Sequence, residues 1–139
     1  MIDFISATKY KCKDSLFLGH CKLEKTFRES GALLYSLEGC ERMKIWYNPV
    51  ADWVKVEGSL PYFLNGNNFA FSNSELVQAI EIIDTLLGGV GLWGALLNRF
   101  EYGVIVPVEV KPKYYISRHS ASPGSHLKKV LNERFEGKY

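Results

Sequence analysis

The stretch that decides the fold runs from Trp53 to Phe69 and reads WVKVEGSLPYFLNGNNF. Its first half alternates in side-chain type, which predicts a β-strand over Trp53–Leu60. The strand is followed by a turn at Asn65-Gly66-Asn67-Asn68, because Gly and Asn tolerate the positive φ that tight turns require. One face of the strand presents Trp53, Lys55, Glu57 and Ser59, and the opposite face presents Val54, Val56, Gly58 and Leu60.

A helix follows this turn, and its start has a clear local signal. Ser72 and Glu75 form a capping-box pattern. Gly88-Gly89 ends the helix. Apolar residues recur between these limits at helical spacing, at Leu76, Ile80, Ile83 and Leu87. The sequence therefore predicts an amphipathic helix whose apolar face belongs to the core.

Further elements flank this strand and helix. The N-terminal side has an opening strand at Met1–Thr8, a hairpin of Leu23–Glu29 with Ala32–Leu37 around Ser30-Gly31, and a strand at Arg42–Tyr47. The C-terminal side has a strand at Leu97–Val108 and a short basic helix at Ser125–Phe135. The pattern predicts an α+β fold with an antiparallel sheet, one long amphipathic helix and a short C-terminal helix, in a single domain over residues 1–139.

Composition places the chain among ordinary globular proteins. It has 139 residues, of which 47% are hydrophobic and 23% charged, enough for one domain with its own core. The apolar runs are too short to span a membrane, and the N-terminus lacks the pattern of a signal peptide. The three cysteines have no CxxC spacing, which disfavours disulfides and structural zinc. These features predict a cytoplasmic protein without a membrane partner.

Charge is unevenly distributed along the chain. Residues 9–28 hold six Lys/Arg against two Asp/Glu, and residues 109–139 hold seven against three. Residues 29–108 hold four against nine. Basic flanks suit a polyanion, and an unevenly charged solvated surface is the simpler alternative. The candidate DNA-binding residues in these flanks are Lys9, Lys11, Lys13, Lys111, Lys113, Arg118, Lys128 and Lys129.

Two carboxylates in the acidic middle are candidate ligands for a metal ion. Glu57 lies within one predicted strand and Glu101 within another, and a charged residue in an apolar strand must face solvent, pair or bind a cation. Mg²⁺ and Mn²⁺ prefer such oxygen ligands. If the two strands are neighbours, the two carboxylates share a face. The alternative is that Glu57 faces water beside Lys55 and that Glu101 pairs with Arg99.

The stretch VEGSLPYFLNGNNF resembles the signature G-S-L-x-x-F-x-x-G-x-N of phage and plasmid rolling-circle replication initiators of the filamentous-phage gene II/X type. The match lies at Gly58, Ser59, Leu60, Phe63, Gly66 and Asn67 or Asn68. The helix after it and then NRFEYGVIVPV resemble the next block of that family, which has an acidic residue followed by an aromatic residue and Gly, here Glu101-Tyr102-Gly103. The resemblance covers most of the chain in the family's order.

This resemblance implies a protein that binds replication-origin DNA and nicks one strand with an active-site tyrosine and a divalent metal. The tyrosine oxygen would attack a backbone phosphate, and basic segments would hold the DNA. Family members are longer than this chain, and the resemblance places the nucleophile downstream of Tyr139. The chain would then be the N-terminal part of an initiator that is inactive alone and supplies Glu101 and Glu57 to the metal site.

Two other functions fit the same residues. A non-catalytic DNA-binding module would use the basic flanks and need no metal. A structural or assembly protein of a phage or mobile element would not bind nucleic acid and would self-associate through an apolar surface. The sequence identifies neither the origin sequence nor the oligomeric state.

Overall fold

The structure is a computed structural model that describes residues 2–103. These residues lie in one compact unit, Met1–Val104, and the description below concerns that unit alone. The predicted C-terminal helix at Ser125–Phe135 and the end of the predicted strand Leu97–Val108 lie outside the described residues. The prediction of a single domain over residues 1–139 therefore stays a prediction.

The described residues form an α+β fold with one six-stranded antiparallel sheet, as the sequence predicts for the general class. The strands are β1 (Ile2–Tyr10), β2 (Cys21–Thr26), β3 (Leu33–Leu37), β4 (Cys40–Asn48), β5 (Trp53–Ser59) and β6 (Leu96–Tyr102). Their order across the sheet is β2-β3-β4-β5-β1-β6. Strands β2 to β5 follow one another as a meander, and β1 is inserted between β5 and β6.

Two α-helices and one short 3-10 turn complete the described fold. They are α1 (Leu60–Asn65), α2 (Asn73–Leu86) and the 3-10 turn Leu92–Gly94. The predicted capping box starts α2, because the Ser72 side chain accepts from the Glu75 backbone N–H while the Glu75 side chain accepts from Ser72 N at 2.7 Å. Neither helix is long and apolar enough to cross a membrane.

The core lies between one face of the sheet and the helices. Alternate residues of β4 and β5 supply its sheet side, and every second residue of β5 is buried, as the sequence predicts. The helices supply the other side, with Leu60 of α1 and Ala79 and Ile83 of α2. The fully buried residues on the sheet side are Leu37, Met43, Ile45, Val54 and Val56.

The corner between β5 and α1 explains most positions of the Gly58–Asn68 signature. A Cβ on Gly58 would lie 2.9 Å from Met43 Sδ and 3.1 Å from the Arg42 carbonyl oxygen, so any larger residue would force the Met43 side chain to move. Ser59 is the N-cap of α1, and Leu60 is fully buried. Gly66 ends α1 with a φ of 72°, which glycine adopts without strain. The sequence prediction of a strand over Trp53–Leu60 followed by a turn missed this helix.

Candidate functional site

The face of the sheet opposite the core helices carries a row of polar side chains across all six strands. We call this face the open face; its residues include Phe4, Ser6 and Thr8 of β1 and their cross-strand neighbours. Pairing registers place one residue of each strand side by side in the order Lys22, Ser36, Lys44, Glu57, Ser6 and Arg99. Side chains that are directly opposite in an antiparallel sheet lie on the same face. Glu57 therefore lies in a row with three cationic residues.

Glu57 is held by three side chains on this face. Its Oε1 accepts from the Ser6 hydroxyl at 3.0 Å and pairs with Lys55 Nζ at 3.0 Å, while its Oε2 accepts from the Trp46 indole N–H at 3.1 Å. Partial burial acts to raise the pKa of Glu57, but the hydrogen bonds from Lys55, Ser6 and Trp46 hold that pKa below its usual value. Glu57 is thus an ordered, ionised carboxylate.

Glu101 lies on the same face but not beside Glu57. It is opposite Phe4 and pairs with Arg99, whose guanidinium lies over the Phe4 ring at 5.4 Å from the centroid. Strands β5 and β6 are not neighbours, because β1 lies between them, so the backbones that carry the two carboxylates are about 10 Å apart across the sheet.

The two carboxylates match a hard divalent cation in donor chemistry, since such ions take carboxylate oxygens. In the structure each carboxylate instead holds a cationic side chain, Lys55 for Glu57 and Arg99 for Glu101. A metal ion would therefore compete with these ion pairs. Within residues 2–103 no group of three His, Cys, Asp or Glu side chains is close enough to hold a metal ion.

Two aromatic rings lie between two cations in a second row of the open face. Lys25 Nζ lies 4.8 Å from the Phe27 ring centroid, the Phe27 and Trp46 centroids are 5.3 Å apart, and Lys55 Nζ lies 5.1 Å from the Trp46 ring. These four side chains form a stack with a cation at each end. The stack crosses β4 and β5 and meets the polar row at Glu57, through Lys55 and the Trp46 indole.

The basic residues after β1 are fixed by Asp52 in the β4–β5 turn. Asp52 Oδ1 accepts from the backbone N–H groups of Cys12 at 3.1 Å and Lys13 at 2.8 Å, and its carbonyl oxygen accepts from Lys11 N at 2.8 Å. Lys11 and Lys13 are exposed, and neither has a carboxylate partner among residues 2–103.

The remaining predicted DNA-binding residues differ in what the structure says of them. Lys9 is half-buried on the core side of β1, opposite Val54, and its Nζ lies against the 3-10 turn near Gly94. The other five candidates lie outside the described residues, and they are Lys111, Lys113, Arg118, Lys128 and Lys129. Of the predicted DNA-binding residues, Lys11 and Lys13 are therefore the two whose described side chains are exposed to an external anion.

Four residues of this site were not predicted from the sequence: Ser6, Phe27, Trp46 and Asp52. Ser6 and Thr8 are only 5% and 7% exposed although they lie on the open face. The sequence does contain a signal for Ser6 and Thr8, because the alternation of β1 places them on one face with Phe4. Asp52 had no such signal, since its partners are forty residues away in sequence.

Comparison with known proteins adds no relative: no family model matches the chain, and no curated protein or solved structure matches it significantly.

Proposed function

We propose that this chain is the N-terminal, DNA-binding part of a replication initiator of the rolling-circle type, with an initiator-like α+β fold. Three things support the proposal. The signature at Gly58–Asn68, the helix and the Glu101-Tyr102-Gly103 block follow one another in the family's order. The flanks of the sequence are basic. The open face and the loop after β1 offer side chains suited to a polyanion.

The observation that carries the DNA-binding part of the proposal is the contrast between paired and unpaired cations. On the open face Lys44, Lys55 and Arg99 each pair with a glutamate. Lys11 and Lys13 remain exposed without such a partner among residues 2–103, on a backbone that Asp52 holds in place. Lysines that bind phosphates release counterions, and this effect dominates the affinity of proteins for nucleic acid.

The nicking part of the proposal concerns Glu57, Glu101 and a tyrosine beyond Tyr139. Bound Mg²⁺ or Mn²⁺ would polarise the scissile phosphate and neutralise charge that develops on it. Glu57 and Glu101 would hold the ion, after Lys55 and Arg99 release them. The tyrosine oxygen would attack the phosphorus, and the 3′ oxygen of the DNA would leave.

DNA binding is tested with the whole 139-residue chain and fluorescently labelled DNA, single-stranded and duplex, over a range of salt concentrations. We expect Lys11→Ala with Lys13→Ala to weaken binding and to lower the salt slope by about 0.7–0.9 for each phosphate that the protein no longer neutralises. Lys44→Ala is the matched control, because it removes one positive charge that already has a partner, Glu24 at 2.9 Å. Equal effects of Lys11, Lys13 and Lys44 would contradict the assignment, and absence of DNA binding at low salt would favour an assembly protein.

Metal binding is tested separately by thermal unfolding with increasing Mn²⁺ or Mg²⁺. Binding to the folded state alone raises the melting temperature. We expect Glu101→Gln to remove this rise, and Glu81→Gln, an exposed position of α2, to leave it unchanged. A wild-type melting temperature that does not respond to either ion would remove the metal from the proposal.

A non-catalytic DNA-binding module is the second candidate function. It is favoured by the ion pairs Lys55–Glu57 and Arg99–Glu101, which already satisfy both carboxylates. The two candidates differ in the response to Glu101→Gln. In a module without a metal, this substitution leaves DNA affinity unchanged with and without Mn²⁺, whereas in an initiator it removes the effect of Mn²⁺.

A further inference from the structure

Three aromatic rings on the open face each have a cationic side chain over them. The pairs are Lys25 with Phe27, Lys55 with Trp46 and Arg99 with Phe4, at 4.8, 5.1 and 5.4 Å from the ring centroids. Phe4, Phe27 and Trp46 are half-buried, so each of them is partly accessible at the surface. Aromatic rings beside cations are the combination with which proteins hold unpaired nucleotides.

We infer that the open face binds single-stranded DNA by an exchange, in which Lys25, Lys55 and Arg99 leave the rings for backbone phosphates and bases stack on Phe27, Trp46 and Phe4. This inference rests on the proposed DNA-binding function and names the form of DNA and the surface that takes it. Each cation thus has two positions, one over a ring in the free protein and one on a phosphate in the complex.

The exchange is favourable because a base stacked on an aromatic ring usually contributes more than a cation over that ring. A cation over a ring at an exposed site changes an equilibrium constant by about two- to fivefold. A base stacked on an aromatic side chain contributes about five- to 150-fold, as measured by alanine substitution. Lys55 and Arg99 also leave their ion pairs with Glu57 and Glu101, and a charge-assisted hydrogen bond with a phosphate replaces each of these pairs. Stacking of a base on Trp46 is therefore stronger than the contact of Lys55 with the same ring, so the base can take the place of Lys55.

The geometry favours a single strand over a duplex. Six strands at about 4.8 Å spacing make a surface about 24 Å wide, which does not enter a major groove about 12 Å wide. In a duplex the base faces are already stacked on one another. Trp46 is also pre-positioned, because its indole N–H is bound to Glu57, which the Ser6 hydroxyl holds in turn. A fixed ring loses little freedom when a base stacks on it.

The decisive comparison is between two probes with equal numbers of phosphates, both used with the whole chain. One is a thymidine oligonucleotide of about twelve nucleotides, and the other is an abasic strand of the same length. We expect the thymidine strand to bind at least about tenfold more tightly. Trp46→Leu should lower its affinity by about five- to 150-fold and leave the affinity for the abasic strand within about twofold.

Two further variants separate stacking from loss of structure. Phe27→Leu removes a ring whose side chain makes no hydrogen bond, and it should weaken thymidine binding in the same way as Trp46→Leu. Trp93→Leu is the matched control, because Trp93 is 59% exposed in the 3-10 turn that packs against α2. It should bind the thymidine strand like the wild type. Circular dichroism and thermal unfolding establish that each variant is folded.

Equal affinity of the wild type for the thymidine and abasic strands would overturn the inference. An unchanged affinity of the folded Trp46→Leu and Phe27→Leu variants for the thymidine strand would also overturn it. The same holds if an RNA strand of uridines binds the wild type about tenfold more tightly than the thymidine strand. The proposed function survives these results when Lys11→Ala with Lys13→Ala still weakens binding. It fails separately, when the wild type binds none of the strands at low salt.

Discussion

The Ser6 hydroxyl donates to Glu57 Oε1 at 3.0 Å, across two strands whose residues are fifty-one positions apart in sequence. Ser6 is only 5% exposed, so the bond is protected from water on the Ser6 side. It joins the N-terminal strand to the meander through the one carboxylate that also binds Lys55 and Trp46. The contact between the two strands and the proposed metal binding therefore depend on the same side chain.

The first prediction concerns the pH dependence of stability. The pKa of Glu57 is lower in the folded state than in the unfolded state. Its ionised form therefore stabilises the fold at pH values above the unfolded pKa, which is about 4.3. This stabilisation is lost as the pH falls through the lower pKa of the folded state. We expect Glu57→Gln to be less stable than the wild type at neutral pH and the difference to shrink below about pH 4.3. Urea unfolding at a series of pH values measures this difference. A difference that stays constant down to low pH would contradict it.

Removal of the Ser6 hydroxyl gives a second, related prediction. Ser6→Ala should lower the free energy of unfolding by about 1–2 kcal/mol at neutral pH, because hydrogen bonds to charged groups are the stronger ones. In the Glu57→Gln background the same substitution should cost less, since the acceptor is then neutral. A double-mutant cycle of Ser6 and Glu57 measures this coupling. Additive effects of the two substitutions would show that the bond contributes nothing.

Gly58 gives a prediction about packing. A Cβ at this position would overlap with the Met43 thioether and approach the Arg42 carbonyl oxygen. Gly58→Ala should therefore lower the free energy of unfolding by about 1–3 kcal/mol, the usual cost of overpacking. Met43→Ala frees part of that space and should reduce the cost of Gly58→Ala, although Met43→Ala is itself destabilising. If Gly58→Ala is as costly in the Met43→Ala background, the close contact is not its cause.

Asp52 gives a prediction about the basic loop. Its φ of 52° is in the left-handed region, which Asp and Asn enter more readily than Ala. Asp52→Ala loses the acceptor of Cys12 N and Lys13 N and should destabilise the fold by about 1–3 kcal/mol. Asp52→Asn keeps the conformation and one acceptor oxygen, so it should lose less. Urea unfolding of the two variants beside the wild type measures both losses.

The Cys12 thiol reports on the same loop. Burial, and to a smaller extent the nearby Asp52 carboxylate, raise the pKa of the Cys12 thiol. Cys12 is also almost fully buried. For both reasons it should react slowly with a thiol reagent in the wild type. We expect faster modification of Cys12 in Asp52→Ala than in Asp52→Asn, measured by mass spectrometry of the modified peptide. Equal rates in the two variants would argue against Asp52 as the group that holds the loop.

The capping box of α2 gives the last prediction. Ser72→Ala removes the hydroxyl that accepts from Glu75 N at 3.3 Å. Loss of such an N-cap costs about 1 kcal/mol. Asn73→Ala is the matched control, because Asn73 is exposed in the first turn of α2 and is not its N-cap. Equal losses in thermal unfolding for the two variants would contradict a specific capping role for Ser72.

Local patterns in the sequence predict the elements but not how they assemble. The alternation of β5 and the capping box at Ser72 are confirmed because each depends on residues close in sequence. The position of β1 between β5 and β6 depends on pairing between distant residues, such as Ala7 with Val56 and with Leu97. Helix α1 was missed because six residues are too few to show a helical period, although Pro61 near its start and Gly66 at its end were available signals.

In the candidate site too, contacts between residues close in sequence could be predicted, and contacts that depend on strand pairing could not. The alternative raised for Glu101, pairing with Arg99, is the contact present in the structure. Glu57 lies beside Lys55, as its alternative states, but it is half-buried and pairs with Lys55 instead of facing water. Metal binding by these carboxylates stays a prediction. The stack of Phe27 and Trp46 was beyond the sequence, because it depends on the register of β4 with β3, where Trp46 is opposite Leu34.

The insertion of β1 between β5 and β6 also has a consequence for the order of events during synthesis. Of the six described strands, β1 is made before the other five, and its partners follow about fifty and ninety residues later, as the Ser6–Glu57 and Thr8–Asn98 bonds show. The meander of β2 to β5 can form earlier, because its neighbours are close in sequence. Until β1 joins, β5 has an unpaired edge, and exposed edges of this kind pair with other chains. Removal of the first ten residues would make that edge permanent and leave β6 without the strand it pairs with.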